Sequence, residues 1–130
     1  MTIKKEIEGF FKDYCRDHDV DAVALTSKNG IPIATLLKKK EESESFSTLS
    51  ATIFGASEVI FSSFDKREPE TAIVNSNDSV LLMRCVGRDT VLSLLGSFDK
   101  KEDLIDYLDE MSIEIQKIKS DKAEKEVLEV

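Results

Sequence analysis

The sequence is poor in the residues from which most metal sites are built. Its 130 residues include no tryptophan, one histidine (His18) and two cysteines (Cys15 and Cys85), which form no C-x-x-C pair. Cysteines that lie so far apart are usually small buried apolar residues in a reducing compartment. His18 stands between two aspartates and has no recognisable partner ligands, so we expect no metal site.

The motifs of the common catalytic and nucleotide-binding sites are also missing. The sequence contains no G-x-G-x-x-G, Walker, H-E-x-x-H or G-x-S-x-G pattern, and Gly55 is not followed by the lysine of a phosphate-binding loop. The numerous carboxylates have the spacing of solvated residues on helix surfaces. We therefore expect no catalytic residues, no cofactor and no enzymatic activity.

Positive charge is scarce relative to negative charge. Eighteen lysines and arginines face 26 aspartates and glutamates, which gives a net charge of −8 and a pI near 4.7. Such a field repels phosphate, so we expect no nucleic-acid partner. The charged N-terminus does not resemble a signal peptide, and no segment is apolar enough for membrane insertion. We expect a cytoplasmic protein.

Helical and strand patterns alternate along the chain. Helical periodicity covers residues 3–14, 45–64 and 104–118, and β-rich runs occupy residues 20–27, 31–37, 71–76, 79–87 and 89–96. Asn29-Gly30 indicates a hairpin, and Pro32 places the second strand at a sheet edge. The last two strands are apolar on both faces, which is typical of the middle of a sheet. The order α-β-β-α-β-β-β-α predicts an α+β domain with a mostly antiparallel five-stranded sheet.

The pattern divides the chain into a domain and a tail. We expect one domain over residues 1–118, followed by a charged tail at residues 119–130 that is either a helical extension or disordered.

The central helical segment, residues 45–64 (SFSTLSATIFGASEVIFSSF), carries one charged residue, Glu58. The average charge content of the chain would give about seven. On a helical wheel the large apolar residues share a face that we expect the sheet to cover: Phe46, Leu49, Ile53, Phe54, Ala56, Ile60, Phe61 and Phe64. The opposite face holds Ser47, Thr48, Ala51, Thr52, Gly55, Glu58, Ser62 and Ser63. Small side chains permit close approach, so we expect a second copy to cover this face; an exposed helix without a partner is the alternative.

These features together resemble the roadblock (dynein light chain) family over residues 1–118. The resemblance is carried by the element order, the hairpin VDAVALTSKNGIPIATL (residues 20–36), the central helix with its small residues, and SVLLMRCVGRDTVLSLLGS (residues 79–97). Its most specific part is SKNGIPIA, where the family has a strand, a turn glycine and a strand of small residues. The charged tail is not a family requirement.

The resemblance implies a roadblock/profilin-like fold, with the central helix on one face of the sheet and the terminal helices on the other. It implies a homodimer joined through the third strand and the central helix, and family members regulate or scaffold small Ras-like GTPases without catalytic residues of their own. For this chain we expect a dimer interface at Ser47, Thr48, Ala51, Thr52, Gly55, Thr71, Ile73 and Asn75. We expect partner binding at Glu58 and Ser62. Arg67 and Arg88 are loop arginines that could assist GTP hydrolysis in a partner.

Two other classes of protein stay open at this point. A secretion-type chaperone is also small, acidic and dimeric, but has three strands before its middle helix, whereas this pattern has two. A small-molecule sensor domain would need a roomy pocket, which a sequence does not reveal.

Overall fold

The computed structural model describes residues 2–17, 19–39 and 43–129, so His18 lies outside the described residues. The predicted order of elements is confirmed. The elements are α1 (Ile3–Asp17), β1 (Val20–Ser27), β2 (Pro32–Leu37), α2 (Ser43–Ser63), β3 (Thr71–Asn75), β4 (Ser79–Val86), β5 (Thr90–Ser97) and α3 (Lys101–Glu129). A short 3-10 turn, Phe98–Lys100, precedes α3.

The described strands form one antiparallel sheet in the order β2-β1-β5-β4-β3. Pro32 begins β2, which is an edge strand as its missing N–H predicts. The apolar strands β4 and β5 lie inside the sheet, which confirms the interpretation of their two-sided hydrophobicity. The other edge is β3, whose outer side faces no further strand within the part of the chain that the structure describes.

The main core lies between one face of the sheet and the two terminal helices. Its buried members from the helices are Ile7, Phe11, Leu104, Leu108, Met111 and Ile115, and those from the strands include Val23, Leu25, Val80, Leu82, Leu92 and Leu94. A smaller cluster on the other face joins Phe54 of α2 to Met83 and Val91. The predicted layers are therefore confirmed: the central helix covers one face and the terminal helices cover the other.

Two glycines stand at positions where a side chain would be strained or would clash with a neighbour. Gly30 has φ +91° in the β1–β2 turn, a backbone conformation that side chains disfavour, and its N–H donates to the carbonyl of Ser27 over 2.9 Å. At Gly96, a Cβ would lie 2.7 Å from Cδ1 of Leu104, so its lack of a side chain lets α3 approach β5 closely.

Helix α3 continues to Glu129, past the predicted domain end at residue 118. The Nζ of Lys119 donates to Oγ1 of Thr90 over 3.0 Å, which ties this part of α3 to the start of β5. The division at residue 118 stays a prediction, since the helix has no break there.

Candidate interaction surface

Helix α2 lies on the sheet through its smallest side chains. The buried residues of α2 are Ser47, Ser50, Ala51 and Phe54. Three strand positions on the same face of the sheet as Met83 and Val91 are small as well: Ala24, Thr26 and Ser93. Small residues on both surfaces bring the helix axis close to the sheet, which leaves little room for a layer of large side chains between them.

The predicted orientation of α2 is therefore wrong. We expected the large apolar residues to face the sheet and the small residues to face outward, but only Phe54 of the large set is fully buried. Ser47 and Ala51, which we placed in the dimer interface, are enclosed within the chain. The physical reason is shape: the strand positions beneath α2 are small, and a small-residue helix face fits them best.

The large apolar residues of α2 form an exposed stripe along one flank. We call Leu49, Ile53, Ile60 and Phe64 the α2 stripe; their side chains are 61%, 38%, 59% and 72% exposed. They recur at spacings of four, seven and four residues, which keeps them on one side of a helix. A row of exposed apolar side chains of this kind on a chain that is 34% charged is typical of an interaction site.

The edge strand β3 presents a second exposed apolar surface. Ile73 pairs with Leu82 and therefore points to the face of α1 and α3, whereas Val74 pairs with Leu81 and points to the face of α2. Both side chains are more than two-fifths exposed. An edge that keeps unpaired backbone groups beside exposed apolar side chains can pair with another strand.

The two other predicted interface residues of β3 lie on the same face as Ile73, because Thr71 pairs with Arg84 and Asn75 pairs with Val80. Oγ1 of Thr71 accepts a hydrogen bond from Nε of Arg84 over 3.0 Å. Arg84 also forms an ion pair with Asp109 of α3. The edge strand is thus held to the body of the domain by a side-chain network.

The remaining predicted site residues lie on the flank of α2 opposite the stripe. Oγ1 of Thr48 donates to the carbonyl of Gly30 over 3.2 Å, so this flank faces the β1–β2 turn. Thr52 is exposed and donates to the carbonyl of Thr48 over 2.8 Å. Gly55 has open space where a Cβ would stand.

Glu58 and Ser62, which we predicted to bind a partner, differ in the contacts that their side chains make within the chain. Glu58 forms an ion pair with Lys28 of the β1–β2 turn, with 3.0 Å between Oε2 and Nζ. This hydrogen bond raises the pKa of Lys28, which holds the lysine in its charged form. Ser62 is exposed and donates to the carbonyl of Val59 over 3.4 Å. Glu58 is thus engaged within the chain, and Ser62 makes a local helix contact.

We expect Gly55→Ala to raise the free energy of unfolding by about 0.5–1 kcal/mol, because alanine favours the helix and meets no neighbour. Gly55→Arg should leave the oligomeric state of the protein unchanged, since position 55 lies away from the α2 stripe. Urea unfolding and sedimentation velocity measure the two effects. Loss of self-association in the Gly55→Arg protein would show that this flank of α2 belongs to the interface.

The described residues contain no group of three or more His, Cys, Asp or Glu residues that could hold a metal ion. Burial raises the pKa of the Cys15 thiol to about 11, and burial likewise raises the pKa of Cys85. Both thiols are therefore protonated at neutral pH and are weak nucleophiles. None of the described helices is long and apolar enough to cross a membrane.

Comparison with known proteins agrees with this architecture. The family model for the Roadblock/LC7 domain matches residues 7–95. The chain belongs to the Roadblock/LC7 domain family, as the sequence resemblance predicted. A search of curated proteins finds no match.

Several solved structures share the fold. MglB of Myxococcus xanthus matches with a TM-score of 0.80 at 20% identity, over 90% of both chains. The gliding protein mglB of Thermus thermophilus matches with a TM-score of 0.80 at 12% identity, over 91% of both chains. A Roadblock/LC7 domain from Streptomyces avermitilis matches with a TM-score of 0.56 at 15% identity, over 60% of this chain and 66% of that one. At these identities the likeness concerns the fold.

Proposed function

We propose that this protein is a homodimeric, non-catalytic regulator or scaffold that binds a small Ras-like GTPase in the cytoplasm. The observation that carries the proposal is the exposed apolar surface formed by the α2 stripe and β3, on an otherwise charged chain. An apolar surface of this kind favours a protein partner, and its position beside a free sheet edge favours a second copy of the chain.

The proposed dimer joins two β3 strands edge to edge, so that the two sheets become one ten-stranded sheet. Phe54 lies over β4 and β5, about 10 Å from the seam between the copies at about 4.8 Å per strand. In this proposed dimer α2 crosses the strands towards β3, so Ile60, six residues beyond Phe54, lies close to the seam at about 1.5 Å of helical rise per residue. Phe64 reaches about 5 Å beyond it, over the sheet of the partner. The exposed C-terminal part of α2 is thereby covered by the second copy.

This assembly differs from the sequence expectation in the face of α2 that it uses. Thr71, Ile73 and Asn75 keep their predicted place in the interface, because they belong to β3. Ser47 and Ala51 leave it because they are buried within the chain. Thr48 and Gly55 also lie outside it, since they are on the flank that faces the β1–β2 turn, and Thr52 lies outside it because it points away from the sheet.

The GTPase would bind the outward surface of the paired α2 helices. The platform residues of α2 that point away from the sheet include Thr52, Ala56, Val59 and Ser63, and all four are exposed. Val59 is the largest of them and is 64% exposed. Two adjacent helices on a continuous sheet form a rigid platform, and a rigid surface loses little entropy when it binds. Glu58 is paired with Lys28 and lies outside this platform, and the exposed Ser62 lies at its edge.

The class of the partner comes from family membership. Roadblock proteins include regulators and scaffolds of Ras-like GTPases, and this chain shares its fold with MglB over nine-tenths of its length. A scaffold needs no reactive group of its own, which accords with the chemistry of the described residues. The secretion-type chaperone is not favoured, because two strands precede α2 rather than three.

Val59→Asp should weaken GTPase binding at least tenfold while the protein stays dimeric, because a carboxylate replaces the largest apolar side chain of the platform. Calorimetric titration with the purified Ras-like GTPases of the source organism, each loaded with GDP or a GTP analogue, measures the change. Gly9→Asp, an exposed change on α1 at the far side of the sheet, is the matched control. Equal affinities of the Val59→Asp protein and the wild type for the GTPase would show that the platform does not bind the GTPase.

Hydrolysis assays with the same GTPases distinguish two modes of regulation. If an arginine of this chain stabilises the transition state of GTP hydrolysis, Arg67→Ala or Arg88→Ala should slow single-turnover hydrolysis at least a hundredfold without loss of binding. If the platform only orders the GTPase's own residues, both variants should behave as wild type. Both arginines are exposed, which permits either mode.

A further inference from the structure

The layer between α2 and the sheet contains buried hydroxyl groups that have no hydrogen-bond partner. Oγ1 of Thr26, Oγ of Ser47 and Oγ of Ser93 form no hydrogen bond among the described residues, and all three side chains are fully buried. Thr26 of β1 pairs with Val91 of β5, and Ser93 stands two residues further along β5, so both point to the face that α2 covers. A hydroxyl that leaves water without gaining a partner destabilises the packed layer.

The same layer buries few large apolar side chains in compensation. Among the described residues of α2, Phe54 is the one large side chain that is fully buried. On the other face, α1 and α3 together bury six: Ile7, Phe11, Leu104, Leu108, Met111 and Ile115. Because apolar burial is the main favourable contribution to folding, α2 is held to the sheet more weakly than α1 and α3 are.

The polar contacts between α2 and the β1–β2 turn lie on one flank of the helix. Oγ1 of Thr48 donates to the carbonyl of Gly30 over 3.2 Å, and Glu58 pairs with Lys28 over 3.0 Å. Both contacts are close to the surface, where competition from water weakens hydrogen bonds and ion pairs. The α2 stripe on the other flank is apolar and cannot form such bonds. The polar anchors of α2 therefore leave the stripe flank unsecured.

We propose that α2 opens from the sheet as a unit while the core between the sheet, α1 and α3 stays folded, and that a partner on the α2 stripe holds α2 closed. Opening hydrates the three hydroxyls and separates few apolar contacts, so it needs less free energy than global unfolding. A partner that contacts the stripe and β3 together binds only the closed form and shifts the equilibrium towards it. The role of the partner rests on the proposed dimer, whereas the opening is a property of the single chain.

Hydrogen exchange followed by mass spectrometry tests the opening in dilute wild-type protein, below the dissociation constant of the proposed dimer. Peptides that span residues 47–58 of α2 should exchange at least a hundredfold faster than peptides that span residues 104–115 of α3, after correction for intrinsic rates. Equal protection of the two helices would show that α2 leaves the sheet only when the whole chain unfolds, and would overturn the proposal.

Thr26→Val tests the physical cause, because valine has the shape of threonine without the hydroxyl. It should slow exchange in α2 at least tenfold, and Ser93→Ala should act in the same direction. The matched control is Thr90→Val: the hydroxyl of Thr90 is also buried, but it donates to the carbonyl of Val86 and accepts from Nζ of Lys119. This variant should not slow exchange in α2. Unchanged or faster α2 exchange in both Thr26→Val and Ser93→Ala would overturn the proposal.

The concentration dependence of exchange tests the coupling to a partner. Above the dissociation constant of the dimer, α2 of the wild type should exchange at least tenfold more slowly than below it. Equal α2 exchange at both concentrations, while sedimentation shows a dimer at the higher one, would overturn the coupling. If the wild type is monomeric at every concentration, the proposed dimer is wrong, and the contrast between α2 and α3 in the single chain still decides whether α2 opens.

Discussion

Ile60→Arg should convert the proposed dimer into a monomer. Ile60 is 59% exposed in the single chain, and the proposed assembly places both copies of it beside the two-fold axis. The substitution removes two apolar side chains from the seam, each worth about 1.5–3 kcal/mol when buried, and sets two positive charges against each other. At about 1.4 kcal/mol per tenfold change, we expect dimerisation to weaken at least a hundredfold.

Sedimentation equilibrium at micromolar concentration measures the change. The wild type should have twice the 14.6 kDa mass of the chain, and Ile60→Arg should have the mass of one chain. The matched control is Ile113→Arg, because Ile113 is 57% exposed but lies on α3, at the opposite face of the sheet. An Ile60→Arg protein that is as dimeric as Ile113→Arg would show that the α2 stripe does not form the interface.

Ala51→Arg should destabilise the folded chain itself. Ala51 is 5% exposed on the face of α2 that lies against the sheet, so an arginine there must either enter the small-residue layer or lift the helix. Overpacking and desolvation of the guanidinium together should lower the free energy of unfolding by more than about 3 kcal/mol. The neighbouring Thr52→Arg should cost less than about 1 kcal/mol, since Thr52 is exposed.

Urea unfolding of the two variants, each combined with Ile60→Arg to keep the chains monomeric, measures this contrast without a contribution from dimerisation. A similar free energy of unfolding for both would mean that Ala51 does not face the sheet. The original expectation, with Ala51 outward, predicts no large effect on the stability of the monomer.

The element order and the sheet edges could be predicted because their signals are local. Asn29-Gly30 needs a turn conformation that few residue types adopt, and Pro32 lacks the N–H that an inner strand requires. The two-sided hydrophobicity of β4 and β5 likewise reflects burial on both faces wherever the strands pair. These signals hold without knowledge of the neighbouring elements.

The orientation of α2 could not be predicted from the helix alone, because hydrophobicity does not report the shape of the surface beneath. A helical wheel assigns the large residues to the core, which is correct when the sheet presents large residues with gaps between them. Here Ala22, Ala24 and Thr26 alternate with Val23 and Leu25 in β1, so one face of that strand is visibly small. Matching the small face of β1 to the small face of α2 would have found the correct orientation.

The same error explains which site residues were missed. The residues of the α2 stripe were assigned to the core because they are large and apolar. The β3 residues entered the predicted site through the family resemblance, and their edge position is confirmed by the strand order.

The central claim is tested most directly by the mass of the complex that forms when the protein is mixed with a GTPase. Light scattering after size exclusion should give twice the 14.6 kDa chain mass for the protein alone, and a larger complex of the dimer with a Ras-like GTPase of the source organism in one nucleotide state. Each of those GTPases is tested in its GTP-analogue and GDP forms, with the Val59→Asp protein as control. A wild-type protein that is monomeric, or that forms no complex with any of these GTPases in either state, would contradict the account.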